Sequence, residues 1–184
     1  MQNTSENKVE FVLIRHGATA GNFEKRYIGR TDESLCDEGI KQLNEREYPE
    51  VELVFSSPMK RCLESAALIY PSLEPVVIDN FRETDFGDFE GKNYAELQGD
   101  DAYQAWIDSN GELPFPNGES REECEVRILR AFEEVKQLVP AGAKSVAFVV
   151  HGGTIMTLMS HIEQGNYYDY QIKNGDYIKV CVTI

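Results

Sequence analysis

The chain has 184 residues, 41% of them apolar, enough for one domain that buries roughly 70% of the surface its unfolded chain exposes, and the length argues against a second domain. Eighteen Lys and Arg stand against 32 Asp and Glu, and the net charge of −14 argues against nonspecific binding of nucleic acid or of an anionic membrane, so an anionic ligand must meet a local basic cluster. Cys36, Cys62, Cys124 and Cys181 form no CxxC pair, and no apolar run of about 18 residues follows the polar opening MQNTSENK; the expectation is a cytoplasmic protein without signal peptide, anchor or membrane-spanning helix.

Residues 1–8 read as a disordered segment ahead of a single domain over residues 9–184. Residues 9–14 form a short β-branched run, which predicts a buried strand ending at Arg15-His16-Gly17. Residues 51–55 repeat the pattern; Ser57 then offers a helix cap and Pro58 a first turn, for a helix predicted to run to about Tyr70. A third strand is predicted over residues 75–78. Residues 84–118 are rich in Gly, Pro, Asp and Asn yet carry Phe86, Phe89, Tyr94, Tyr103, Trp106 and Phe115. They predict a partly helical lid or insertion whose aromatics either pad a side lobe or meet a ligand.

A long amphipathic helix is predicted over residues 121–139, with Cys124, Ile128, Ala131, Val135 and Leu138 at helical spacing and a capping box of Ser120 and Glu123 at its start. Residues 144–150 form a fourth strand candidate ending at His151-Gly152-Gly153, followed by a helical stretch over 154–162 and a last strand over 177–183. The segment 166–184, with Tyr167, Tyr168 and Tyr170, either covers a sheet edge or makes a subunit contact in a homodimer. Strands alternating with helices predict a three-layer α/β/α sandwich on a mostly parallel sheet. Such sheets bind ligands at the carboxyl ends of their strands. That rule singles out Arg15-His16-Gly17 and His151-Gly152-Gly153, which hold two of the three histidines.

Cleaving a phosphate monoester takes clustered donors, a nucleophile and an acid for the leaving oxygen. A neutral imidazole can attack phosphorus, and His16 stands between a guanidinium and a glycine that permits close approach. Arg-His-Gly alone is a weak signal. It is followed, however, by further stretches in order: RHGATAGN, SSPMKRCLESA, FRETDFGDFEG, FPNGES and VVHGG. Together these resemble the histidine phosphatase superfamily, also called phosphoglycerate mutase-like, over nearly the whole chain.

The resemblance implies the phosphoglycerate mutase-like fold, with His16 as a transiently phosphorylated nucleophile and Glu83 as proton donor. It implies a phosphate pocket of Arg15, Asn22, Arg61, His151 and Gly152. Two guanidiniums and a protonatable imidazole can indeed neutralise a phosphoryl dianion. Glu83 is surrounded by Asp79, Asp85, Asp88 and Glu90, any of which reads equally well as solvated charge, so only the motif picks it out. Thr19 is expected to hold the first loop. No metal or other cofactor is expected, because the histidines lack carboxylate or thiol partners at ligand spacing. Two departures from the family pattern stand out. Cys36 replaces the usual Ser or Thr cap ahead of Gly39, forfeiting about 1 kcal/mol, and Phe89 stands where a tryptophan is frequent.

The stretch from Arg26 to Asp32, with the FGDFEG and PNGES motifs, most resembles the alpha-ribazole phosphatase branch, which implies a small phosphorylated metabolite of cobalamin synthesis as substrate. A broad-specificity phosphomonoesterase or a phosphoglycerate mutase-like enzyme is the alternative. A catalytically silent domain binding a phosphorylated ligand or a protein is the alternative of another class. Since a net negative chain offers no long-range steering of anions, raising ionic strength is expected to leave the steady-state rate nearly unchanged and bulky polyanions to be rejected; a steep salt-induced fall in initial rate would contradict this.

Overall fold

The computed structural model describes residues 7–184. Residues 1–6, most of the segment expected to be disordered, lie outside the described residues, and Lys8 already opens the first strand. Among the described residues the five strands are β1 (Lys8–Arg15), β2 (Leu53–Ser56), β3 (Val76–Val77), β4 (Ser145–Val150) and β5 (Tyr177–Thr183), in the spatial order β3-β2-β4-β1-β5. All neighbours are parallel except β5, which closes the edge antiparallel to β1. The helices are α1 (Ala20–Phe23), α2 (Asp37–Asn44), α3 (Lys60–Ile69), α4 (Tyr94–Leu97), α5 (Asp101–Asp108), α6 (Arg121–Leu138) and α7 (Gly152–Glu163). The predicted sandwich on a mostly parallel sheet is what forms.

The central strands are covered on both faces, so they read as continuous apolar runs rather than alternating ones. Phe11 and Leu13 of β1 face a core shared with Ile128, Ala131 and Val135 of α6 and Ile155 and Leu158 of α7. Val12 and Ile14 point the other way, toward Cys62 and Ala66 of α3. Phe148 anchors the first core, with ring centroids 4.9 Å from Phe11 and 5.4 Å from Phe55. Among the described residues no helix is long and apolar enough to cross a membrane.

Two local expectations need correction. Ser57 does not cap α3: the N-cap is Met59, without a side-chain hydrogen bond, and the helix starts at Lys60. The Ser57 hydroxyl is committed to His151 instead, at 2.8 Å. On α6 the capping box of Ser120 and Glu123 forms, but Leu138 is exposed and Phe132 is buried in the helix's apolar stripe. The missing cap at Cys36 is as expected, the Sγ donating to the Ala18 carbonyl at 3.3 Å.

Residues 84–118 contain α4 and α5 and build a small core of their own. Phe89, Leu97 and Tyr103 are its buried centre, with Tyr27, Phe86, Trp106 and Phe115 packed around them. The aromatics therefore divide. Phe89 and Tyr103 pad the lobe, Tyr94 is exposed, and others face the cavity described next.

Candidate active site

Register places the two histidine loops side by side. Arg15 is the Cα partner of Val150 in the β1–β4 ladder, and the pairing continues one residue further, with His16 N–H donating to the Val150 carbonyl at 3.0 Å. The chain then leaves both strands, and the His16 and His151 rings meet edge to face with centroids 5.2 Å apart. The loop after His16 is held from several sides. Thr19 and Asn22 form a capping box at α1, Gly17 N–H donates to Ser65 Oγ at 2.9 Å, and α2 packs against it so closely that a Cβ on Gly39 would lie 2.1 Å from the Ala18 carbonyl oxygen.

His16 is 3% exposed. Its Nδ1 lies 2.7 Å from the Gly17 carbonyl oxygen, and a carbonyl only accepts, so Nδ1 carries the ring proton and Nε2 keeps its lone pair. Burial, with Arg61 and Arg15 nearby, holds its pKa well below the ordinary 6.5, which keeps the ring neutral. His151 is fully buried, and burial and the same cationic surroundings depress it likewise. His151 Nε2 lies 2.8 Å from Ser57 Oγ, and its Nδ1 lies 3.9 Å from Glu83 Oε2.

Arg61 is 1% exposed. Its guanidinium is fixed by carbonyls of the loop before it: Nη1 donates to Thr31 at 2.9 Å, and Nη2 to Gly29 at 3.0 Å and Ile28 at 3.3 Å. That loop is itself held by Glu90, whose Oε1 accepts from Gly29 N–H at 2.9 Å and Thr31 N–H at 2.8 Å. Glu90 is therefore a structural acceptor, not merely solvated charge. Arg15 Nη1 donates to the Ile172 carbonyl at 2.7 Å, and its guanidinium passes α7 where a Cβ on Gly152 would sit 3.5 Å from Nε. Arg15 Nε and the Thr154 hydroxyl are buried and find no partner among the described residues. Two buried unpaired donors at the positive end of a twelve-residue helix form an anion-binding arrangement.

Glu83 sits in the loop after a 3-10 turn (Asp79–Phe81), with Oε1 accepting from Thr84 N–H at 2.9 Å. Burial raises its pKa, against the pull of the Thr84 bond and of Arg61 and Arg15. A Cβ on Gly153 would lie 3.1 Å from Glu83 Oε1, so Glu83 and the α7 N-terminus border one space. Beyond Glu83 that space opens into a cavity of about 260 Å³ walled by Tyr27, Phe86, Trp106, Phe115 and Tyr167, with Arg121 at its side.

The structure brings together Arg15, His16, Arg61, Glu83, His151 and Gly152. Asn22 joins through Asn174, whose Nδ2 donates both to Asn22 Oδ1 and to the His16 carbonyl, each at 3.1 Å. Sequence reasoning missed Asn174, Ser65 and the role of Ser57. Their neighbours gave a clue only for Ser57, in the SSP turn; Asn174 reaches the site from 158 residues away along the chain.

The fold and this arrangement define a class, the phosphohydrolases built on a phosphoglycerate mutase-like sandwich. The family model of the histidine phosphatase superfamily (branch 1) matches residues 11–183, and the chain belongs to that superfamily. It is similar to the uncharacterized phosphatase PhoE of Bacillus subtilis, 30% identical with 93% of this chain and 84% of that protein covered. It is also similar to the broad-specificity phosphatase YOR283W of Saccharomyces cerevisiae, 27% identical over 92% of this chain and 77% of that protein. In fold it resembles the alpha-ribazole phosphatase of Shigella flexneri, with a TM-score of 0.80 at 24% identity, covering 93% of this chain and 89% of that one. The protein is a phosphatase.

The opposed shifts have consequences for stability. With both imidazoles depressed in the folded state, the unfolded chain takes up protons first as pH falls below 6.5, so stability declines there. Glu83, raised from 4.5, acts in the other sense and costs stability as pH rises above that value. Glu83→Gln is therefore expected to melt higher than the wild type at pH 8, by about 2–4 °C for each kcal/mol relieved, with the gain vanishing toward pH 4. A gain of equal size at both pH values in thermal melts would contradict the assignment.

Proposed function

We propose that the protein hydrolyses small phosphate monoesters through a phosphohistidine at His16, with Glu83 as proton donor and Arg15, Asn22, Arg61, His151 and the α7 N-terminus at Gly152 as the phosphate pocket. The observation that carries this reading is the His16 ring, neutral, with Nδ1 tied to the Gly17 carbonyl and Nε2 directed into a buried cationic site. In the first step Nε2 attacks phosphorus while the bond to the ester oxygen breaks, and the departing oxygen takes the proton of Glu83. In the second step water attacks phosphorus as the P–Nε2 bond breaks and its electron pair returns to the ring, the Glu83 carboxylate accepts the water proton, and phosphate leaves with His16 neutral again. Arg15 and Arg61 offset the charge on the phosphoryl oxygens throughout, at no reorganisation cost because both are already fixed by carbonyls.

The substrate class follows from the space beside the donor. The leaving group meets the aromatic cavity, and residues 84–118 with Tyr27 act as its lid. A cavity of about 260 Å³ walled by Tyr27, Trp106 and Phe115 suits a flat apolar group, and a buried Trp106 Nε1 without a partner among the described residues adds a polar handle. These features support alpha-ribazole 5′-phosphate, whose benzimidazole is flat. The yeast relative's name favours a second reading, a broad-specificity phosphomonoesterase.

Phosphate release from alpha-ribazole phosphate, 3-phosphoglycerate, sugar phosphates and an aryl phosphate separates the two. His16→Ala is expected to lower every rate on the order of 10⁴-fold or more, and Trp106→Ala to raise KM for alpha-ribazole phosphate by about threefold to tenfold while sparing the sugar phosphates. Even rates across the panel would favour the broad-specificity reading, and release that survives in His16→Ala would overturn the mechanism.

A further inference from the structure

We propose that Arg127 and Glu119 form a clamp that positions Glu83, an inference that rests on Glu83 being the proton donor. The Glu83 segment has no sheet or helix to hold it, since it links two short 3-10 turns, Asp79–Phe81 and Gly87–Phe89. From α6, Arg127 Nη1 donates to the carbonyls of Asn80 at 2.7 Å and Arg82 at 2.9 Å, on the near side of Glu83. Its Nε and Nη2 donate to the two carboxylate oxygens of Glu119, both at 2.7 Å.

Glu119, in the FPNGES stretch, holds the far side. Asp85 N–H donates to Glu119 Oε2 at 3.3 Å, and Glu119 N–H donates to the Asp85 carbonyl at 2.9 Å. Arg127 Nη2 also donates to Cys124 Sγ at 3.4 Å, which in turn contacts Thr84 Oγ1 at 3.2 Å. Residues 80, 82, 84 and 85 are thereby tied, directly or through one atom, to a single ion pair whose side chains are only 9% and 13% exposed.

Geometry explains why this pair is an arginine and a carboxylate. Only a planar guanidinium can serve a bidentate carboxylate and two carbonyls at once; a lysine offers a single point of donation. Burying two charges gives little net stability by itself. Here it converts an irregular loop into a fixed mount. Glu83 needs that mount because its carboxyl has one backbone bond of its own, from Thr84, while proton transfer to a leaving oxygen requires placement within hydrogen-bond reach.

A proton donor matters most for leaving groups that are poor without it, which separates a positioning role from a merely structural one. The test compares kcat/KM for an alkyl phosphate and for an aryl phosphate with a good leaving group in Arg127→Lys, Glu119→Gln and Glu83→Gln, with the phosphoenzyme burst on the aryl ester counting folded sites. Glu83→Gln is expected to lose about 10²- to 10⁴-fold on the alkyl ester and less than about tenfold on the aryl ester. Arg127→Lys and Glu119→Gln are expected to show the same selectivity at smaller size, about 10- to 100-fold against less than about threefold. Equal losses on both esters per folded site, or none, in the clamp variants beside a selective Glu83→Gln would overturn the clamp alone. An unselective Glu83→Gln would overturn the reading of Glu83 and the clamp with it.

Discussion

One hydrogen bond beyond the ladder organises the site: the His16 amide donates to the Val150 carbonyl at 3.0 Å, carrying the parallel register of β1 and β4 one residue past the strands. The two histidine loops then leave the sheet at one point. His16 and His151 come together because their strands are neighbours in register, though 135 residues separate them in sequence. A shift of either strand by one residue would turn the opposite set of side chains toward each core and carry Arg15 away from the α7 N-terminus.

The second constraint is electrostatic. An acidic protein must gather its cations locally to bind phosphate, and the proposed pocket has them gathered: Arg61 is buried against three carbonyls and Arg15 lies beside Gly152. The same burial depresses both imidazoles and raises Glu83. A depressed imidazole pKa favours the neutral ring and a raised carboxyl pKa favours the protonated acid, the directions that the proposed roles of His16 and Glu83 call for. One desolvated environment thus shifts an acid and a base in opposite directions, and the cost appears as lost stability at both ends of the pH range.

Much of this is legible in the sequence. The runs at β1, β4 and β5 and the capping box of α6 have local causes, apolar continuity and side-chain hydrogen bonds within four residues, and they lie where the pattern puts them. The candidate site residues Arg15, His16, Arg61, Glu83 and His151 are legible as a set only through motif order, since each alone is an ordinary side chain. Ser57 misled because its local signal, a hydroxyl ahead of Pro58, is that of a helix cap, while the tertiary partner His151 outcompetes the helix. Asn174, Glu90 and Arg127 were illegible for a related reason: their partners lie far along the chain, and a single sequence does not announce long-range hydrogen bonds.

The aromatic lobe makes the same point about packing. Composition marks residues 84–118 as unusual, but only the fold sorts Phe89 and Tyr103, which fill the lobe, from Trp106 and Phe115, which wall the cavity beside Glu83. The central claim is that His16 carries the phosphoryl group during turnover, and rapid quench with a labelled aryl phosphate tests it most directly. The account predicts an acid-labile, alkali-stable label that maps to the peptide containing His16 and disappears in His16→Ala. A label on another residue, or turnover at wild-type rate with no label trapped, would contradict it.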